Sequence, residues 1–369
     1  MKATVTRREF MLGSSAWLAL SGIPGSALGQ APGTLKAPVV DSLVVQIITD
    51  SSYDTPRPMT HKLVKVRRKP FSVAPSLKTL HSEWGLATAL ESRIGSDTRT
   101  LMLDYGYTPE ALVNNMEFIG MDAARTQALI LSHGHYDHLG GLIGFLQKYR
   151  SRLPDNLTLY VGGEDNFCQR KTGSGTPGHF ADWGVLDRRE LDKLKVKVVM
   201  CERPTVIEGH AFTTGNIPRT SFEKVFPNTL VSYRKGADGA GCNMPAADAK
   251  AKGEFVQDEH LDEHATCFNV KDRGLVVISS CGHAGIVNSV RQAIAVSGVS
   301  KVHAVMGGFH LFPADEDYLR RVIAELQAMN PDVLIPLHCS GPEIVRLTRA
   351  VAPDKLLTST TGTEFTFGA

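Results

Sequence analysis

Ala128-Leu129-Ile130-Leu131-Ser132-His133-Gly134-His135-Tyr136-Asp137-His138-Leu139-Gly140-Gly141-Leu142 reads as a buried strand, a turn crowded with metal-capable side chains, and the entry to a helix. Three imidazoles and a carboxylate fall within six residues, and no packing requirement asks for that. A dense His/Asp cluster suits borderline divalent ions, zinc first. In an extended or tightly turning segment His133 and His135 point the same way and can share one ion. Asp137 and His138, past the turn, are placed to hold a second. A polar loop with chance histidines would not also carry the flanking strand and glycine signals.

Outward from this stretch, strands alternate with helices. Strand character runs over Val39–Thr49, Gly85–Leu90, Thr100–Asp104, Leu157–Val161, Lys195–Met200 and Ala211–Thr214. In the second half it returns over Ala265–Val270, Gly274–Ser279, Lys301–Met306 and Asp332–Leu337. Apolar residues at helical spacing predict helices over Glu110–Phe118, Gly140–Tyr149, Ile286–Val296, Asp315–Met329 and Glu343–Val351. Two β-sheets stacked face to face with helices outside would bury all of these faces, an α/β four-layer αββα sandwich. Residues 162–194 are irregular. Residues 234–264 are charged and Gly/Ala-rich and read as a surface insertion or lid.

Three further histidines stand where strands end: His283 after Cys281-Gly282, His310 after Gly307-Gly308-Phe309, and His338 before Cys339. One shared site with the first cluster explains them better than three unrelated polar residues. His133, His135, Asp137, His138, His283 and His338 are therefore the candidate metal ligands, with His310 either a further ligand or, with Asp137, a candidate catalytic residue. Cys281 is either a soft ligand or a buried inert thiol. His61, His81, His179, His210, His260, His264 and His303 default to surface or structural roles, with His81 and His179 also candidates for the pocket border. Two zinc ions per chain, or manganese or iron in their place, would supply a metal-bound hydroxide at neutral pH and polarise the electrophile. Asp137 is placed both to bind metal and to orient the attacking water. There is no Ser or Cys nucleophile motif and no Gly-rich nucleotide fingerprint.

The chain has 369 residues, 42% hydrophobic, with a formal net charge of +2. That is enough for a large core and lacks the basic excess of a nucleic-acid binder. The run Lys65-Val66-Arg67-Arg68-Lys69 reads as a solvated strand or loop edge. At the N-terminus, Arg7-Arg8 precedes a moderately apolar stretch from Phe10 to Ile23, and small residues follow over Pro24–Ala31. This pattern predicts a twin-arginine (Tat) export signal over 1–31 and a mature domain over 32–369. The expectation is a periplasmic protein that meets the Tat machinery and a small-molecule substrate, with no nucleic acid and no membrane insertion after cleavage. The Tat route carries folded proteins, so metal can be taken up before export. Six cysteines permit disulfides without requiring them, and no Cys-x-x-Cys pair marks a zinc ribbon.

The run Ser132-His133-Gly134-His135-Tyr136-Asp137-His138-x-Gly140-Gly141-Leu142 resembles the signature of the metallo-β-lactamase fold superfamily. Gly215-Asn216-Ile217-Pro218-Arg219-x-x-Phe222-Glu223, Cys281-Gly282-His283-Ala284-Gly285-Ile286-Val287-Asn288, Gly307-Gly308-Phe309-His310-Leu311 and Pro336-Leu337-His338-Cys339 narrow it. They resemble the branch grouped with archaeal dihydropterin–ribofuranosylaminobenzene phosphate synthase, over roughly residues 40–365. The resemblance implies a di-metal site at the edge of the sandwich, with His133, His135, Asp137 and His138 as ligands joined by His283 and His338. The chain departs from the pattern in three places. Gly215–Arg219 lacks a His, Cys281 falls where many relatives place a bridging Asp, and Asp104-Tyr105-Gly106 stands for Asp-Thr-Gly. Arg219 is a candidate for holding a substrate phosphate or carboxylate, or else pairs with Glu223. The leading expectation is a metal-dependent hydrolase of an ester, phosphoester or amide-like bond. The alternatives are a synthase-like transferase and a non-catalytic metal or ligand carrier.

Overall fold

The computed structural model describes residues 35–54, 59–69, 78–176, 178–227, 229–244 and 255–368. The expected export signal lies outside the described residues. Among the described residues the first large sheet orders its strands Lys197–Met200, Thr158–Val161, Thr126–Leu131, Asp97–Tyr105, Ala87–Ile94, Ser42–Thr49, Thr363–Gly368 and Val64–Arg68. The second runs Val206–Ile207, Ala211–Thr213, Thr266–Val270, Gly274–Ser279, Val302–Gly308 and Val333–Leu337, with Val39–Val40 also pairing Thr266–Val270.

Strand alternation explains how two sheets make four layers. Successive side chains point to opposite faces. On Thr126–Leu131, Ala128 and Ile130 join a core containing Phe268, Val276, Ile278, Met306 and Ile335 of the second sheet. Their neighbours Leu129 and Leu131 face the other way, onto Leu112, Met116, Phe145 and Leu146 of the helices Pro109–Ile119 and Leu142–Tyr149. The second sheet repeats this. Val277 and Val305 turn outward to Val290, Val322 and Leu347 on the helices Ile286–Ser297, Glu316–Ala328 and Pro342–Val351. The αββα sandwich follows from both strands and helices being apolar on matching faces. Each buried Leu, Ile or Val side chain contributes about 1.5–3 kcal/mol to holding the layers together.

Several elements differ from expectation. The helix expected over Gly140–Tyr149 begins only at Leu142, and a separate short helix, Tyr136–Leu139, precedes it. Gly140 and Gly141 lie so close to the backbone of Tyr107 and Tyr105 that a Cβ would sit 2.1 and 2.2 Å from their carbonyl oxygens. That contact pins the turn carrying Asp137 and His138 against the sheet. Residues 162–194 are not irregular throughout: Gln169–Gly173 and Phe180–Asp182 join Thr229–Ser232 and Val256–Gln257 in a small third sheet. Its strands are short, exposed or polar, so alternation did not mark them. The reading of 234–264 as a surface insertion fails over its last part, where Asp258, His260, Asp262, Glu263 and His264 are buried. Charge there signalled a buried ionic network, not solvent. The basic run forms the edge strand Val64–Arg68, with Arg67 paired to Glu364 at 2.7 Å. Cys168 and Cys242 form a disulfide, while Cys201, Cys267, Cys281 and Cys339 are free and buried. No helix among the described residues is long and apolar enough to cross a membrane.

Candidate metal centre

Strand Thr126–Leu131 ends at Ser132, and Asp104 receives it. The Asp104 carboxylate accepts the Ser132 backbone N–H at 2.8 Å and its hydroxyl at 2.7 Å. The same carboxylate lies 2.7 Å from His138 Nδ1, and the Ser132 hydroxyl 2.9 Å from His133 Nδ1. A carboxylate on Nδ1 fixes that nitrogen as the protonated one and leaves Nε2 with a lone pair. His133 Nε2 and His138 Nε2 are both buried with no partner. Asp104 sits at φ 60°, a left-handed conformation that Asp tolerates better than most residues.

Gly134 shows why the motif needs a glycine between its first two histidines. A Cβ there would meet Arg170 Nη1 at 2.3 Å and the Asn166 carbonyl oxygen at 2.6 Å. Arg170 is fully buried and pairs with Asp258 (2.6 Å), Asp165 (3.2 Å) and Asp262 (3.4 Å). Asp258 in turn lies 3.5 Å from His135 Nε2 and 3.6 Å from His260 Nδ1. This network sets the His135 and His260 rings 4.9 Å apart and stacks His260 on His283 at 3.8 Å. His260, expected to be structural or surface, is thus part of the cluster. Its signal was Asp258-Glu259-His260, an acid two residues from an imidazole, hidden in a stretch without periodicity.

On the other side, Asp137 Oδ2 lies 3.3 Å from His338 Nε2 and 3.7 Å from His138 Nε2, and its Oδ1 has no partner. His338 adopts φ 48°, its backbone N–H donating to Asp50 at 2.9 Å and its Nδ1 lying 3.0 Å from Ser51 Oγ. A non-glycine residue in that region costs about 1–3 kcal/mol and is held there by its surroundings. His283 follows strand Gly274–Ser279, and Glu263 accepts its backbone N–H at 3.0 Å. Both His283 ring nitrogens are buried and unpartnered.

Electrostatics favour neutral imidazoles at His133, His260 and His283, while His338 is held as a cation beside the Asp137 carboxylate. Burial, reinforced by neighbouring imidazoles, pushes His133, His260 and His283 well below the usual histidine range. Burial works against the charge on Asp137, yet His138 and His338 hold its carboxyl below the usual range. Burial opposes protonation of His338 too, but Cys339 and Asp137 bring it up to about 9.

Three donor groups have all ligand atoms within 4.8 Å of one another: His133/Cys281/His283, His135/His260/His283 and His138/Cys281/His338. The buried ring nitrogens of His133, His260 and His283 that have no hydrogen-bond partner, in neutral imidazoles, are costly unless something binds them. The donor set therefore fits the divalent ions expected for this arrangement. His135, Asp137, His283 and His310 line a cleft of about 480 Å³ together with Trp84, Trp183, Phe180 and Phe312. Trp84, Phe180 and Phe312 are among the exposed large apolar side chains.

All six expected ligands meet at this centre, and His310 borders it, its ring 4.0 Å from His283. Arg219 does not line this cleft. It lies at a separate cavity with Glu202 and His260 and hydrogen-bonds the Glu259 carbonyl, its guanidinium 3.7 Å from the Glu259 carboxylate. The expected partner Glu223 is engaged elsewhere, accepting the Val287 and Asn288 N–H groups at the start of helix Ile286–Ser297. His179 lines the cleft and His81 does not. His303 pairs with Asp332 at 2.7 Å, His210 with Ser92 at 3.0 Å, and His264 with the Leu131 carbonyl at 3.0 Å. His61 lies 3.1 Å from the Asp354 carbonyl oxygen.

The family model of the Metallo-beta-lactamase superfamily matches residues 92–216, which hold the first cluster but not the later histidines. The chain is similar to 7,8-dihydropterin-6-methyl-4-(β-D-ribofuranosyl)-aminobenzene-5'-phosphate synthase of Methanocaldococcus jannaschii. The two are 27% identical over 266 residues, covering 70% of this chain and 82% of that protein. An uncharacterized protein of the same organism is 24% identical over 247 residues, 66% of this chain and 80% of its own. Among solved structures, the fold is similar to a metal-dependent hydrolase of the β-lactamase superfamily. The TM-score is 0.62 at 20% identity, covering 87% of this chain and 98% of that one.

Proposed function

We propose, for a chain that carries a domain of the metallo-β-lactamase superfamily and is homologous to the archaeal synthase, that it is an exported hydrolase dependent on divalent metal, acting on an ester, phosphoester or amide-like bond. The observation that carries this reading is the convergence of unpartnered imidazole nitrogens with Asp137 at the floor of an open cleft. His133, His135, His260 and His283 are the side chains placed to hold one ion, and Asp137, His138 and His338 a second. Zinc fits these donors best, with manganese or iron as alternatives. Such ions, when bound, supply Lewis acidity and acidify water enough for attack at neutral pH.

The remaining chemistry belongs to the chain. Asp104 fixes the His138 tautomer, so that side chain does not have to reorganise during turnover. Asp137 Oδ1 faces no protein donor and is placed to accept a hydrogen bond from the attacking water and orient it. Its depressed pKa suits orientation better than proton removal. Trp84, Trp183, Phe180 and Phe312 offer flat apolar surface that binds a substrate body and excludes bulk water from the scissile bond. The Cys168–Cys242 disulfide supports export to an oxidising compartment.

The test is metal content of the purified mature protein, followed by a chromogenic panel of phosphomonoester, phosphodiester, lactone and β-lactam substrates. Turnover lost on chelation and restored by zinc or manganese supports the reading. Metal binding with no turnover on any substrate overturns it in favour of a carrier. The 27% identical relative favours a second reading, a synthase-like transfer. That protein's product carries a phosphate, whereas no Lys or Arg is found among the described residues lining this cleft. Formation of a pterin–aminobenzene bond by the purified protein would decide for the synthase.

A further inference from the structure

A fourth donor group, Cys281/His310/Cys339, has all its ligand atoms within 4.8 Å of one another. Of its members, only Cys281 is shared with the groups described above; Cys339 and His310 belong to none of them. Cys281 Sγ lies 3.1 Å from Cys339 Sγ and 3.5 Å from His310 Nδ1. A tetrahedral ion at about 2.3 Å from sulfur and about 2.0 Å from nitrogen spaces its donors roughly 3.3–3.8 Å apart. The Cys281–His310 separation falls in that range, and the sulfur pair, which such an ion spaces about 3.8 Å apart, has to open by roughly 0.7 Å.

The backbone is built to bring these donors together. They come from the ends of three neighbouring parallel strands, Gly274–Ser279, Val302–Gly308 and Val333–Leu337. Gly308 leaves the room: a Cβ there would lie 2.4 Å from the Ser280 carbonyl oxygen and 2.8 Å from Cys339 Sγ. His310 is held at φ 46°, outside the usual range for a side-chain-bearing residue, and its Nε2 is buried without a partner. Strained backbone of this kind persists where the surroundings enforce it, and it turns His310 Nδ1, the nitrogen that would bind the ion, toward Cys281 Sγ. All three residues also line the cleft, so an ion has a path in.

We propose that Cys281, His310 and Cys339 form an additional site for a thiophilic cation, zinc or copper(I), beside the imidazole-held ions. Two sulfurs and one nitrogen make a softer donor set than His/Asp, and thiolate donors select such ions. A soft-site ligand role for His310 stands in place of the catalytic role expected from its position in the chain. The site adjoins the catalytic ions proposed above but does not need turnover to be detected.

The experiment uses the full mature protein, stripped of metal under reducing conditions and titrated with cobalt(II) and with zinc. Wild type, Cys339→Ser and His310→Gln are compared by bound-metal stoichiometry, by the ultraviolet thiolate-to-cobalt charge-transfer band, and by free-thiol count after denaturation. The expected result is one fewer equivalent bound in each variant than in wild type, with the band weakened in Cys339→Ser. Equal stoichiometry and an unchanged band in both variants overturn the site. So does a thiol count showing Cys281 and Cys339 already joined as a disulfide in the protein as purified. Failure of the imidazole-held centre reads differently: wild type would then bind no ion beyond the one lost in these variants. Should Cys339→Ser misfold, His310→Gln carries the same stoichiometric test.

Discussion

Replacing Asp104 with Asn separates a carboxylate that merely fills space from one that positions a metal ligand. Asp104 Oδ1 accepts the Ser132 N–H at 2.8 Å, while Oδ2 accepts the Ser132 hydroxyl and faces His138 Nδ1, each at 2.7 Å. The amide is nearly isosteric and tolerates φ 60° about as well. It must nevertheless place its NH2 where one of those oxygens was. On the Oδ1 side the NH2 meets the Ser132 N–H, donor against donor. On the Oδ2 side it meets His138 Nδ1 and drives the proton to Nε2, the atom that faces Asp137. Either arrangement leaves a buried donor unpaired, a cost of about 1–3 kcal/mol. Loss of an outer-shell partner to a metal-bound His lowers affinity about 10–100-fold, equivalent to about 1.4–2.7 kcal/mol at this site. The assay is competition with a chromogenic chelator, read alongside circular dichroism and denaturant unfolding of the metal-free protein. The expected result is an intact fold, stability reduced by ~1–3 kcal/mol, and one class of ion held ~10–100-fold more weakly. Unchanged retention of every ion in a folded Asp104→Asn protein would refute the positioning argument.

Gly134→Ala drives a methyl group to 2.3 Å from Arg170 Nη1 and should destabilise the protein by ~1–3 kcal/mol in urea titration; a neutral effect would mean the Arg170 network yields easily. Arg170→Met leaves three buried carboxylates, Asp165, Asp258 and Asp262, without their cation and should cost ~3–5 kcal/mol and disorder His135 and His260, visible as weaker metal binding. Burial raises the Glu263 carboxyl from 4.5 to about 7, despite N–H donors from Ala284 and His283. The folded state therefore holds a proton that the unfolded state releases. The corresponding stability, ~3 kcal/mol, is present below pH about 4.5 and is lost as pH rises through about 7. In the metal-free protein this fall opposes the rise in stability that the buried neutral His133, His260 and His283 impose as pH increases toward the usual histidine range, so Glu263→Gln should steepen the net rise; an unaltered slope in the variant rejects Glu263 as a contributor.

Local chemistry was the legible part. The continuous apolar run Ala128–Leu131 and the helical spacing along Ile286–Val296 are properties of a few adjacent residues, and both elements stand where their patterns put them. His133, His135, Asp137 and His138 could be read as one cluster because a strand end and a single short turn bring them together. His283, His310 and His338 were found by position, since parallel strands deliver their C-terminal ends to one edge. The third sheet escaped notice because Phe180–Asp182 and Val256–Gln257 are too short and too exposed to alternate. Arg219 looked pocket-facing for want of Glu259, whose approach depends on chain far from it.

From the sequence alone came the layered sandwich, the edge where the imidazoles gather and the first candidate ligands, because strand pleat, helix period and short turns act within a few residues. Only the tertiary structure decided that His260 stacks on His283, through a buried Arg170–Asp258 pair whose partners are remote in sequence. It also decided that Cys281 and Cys339 meet, because strand register across Gly274–Ser279, Val302–Gly308 and Val333–Leu337 sets which chain ends become neighbours. Register and buried charge pairing are long-range choices, made by the whole core and not by any one stretch of chain.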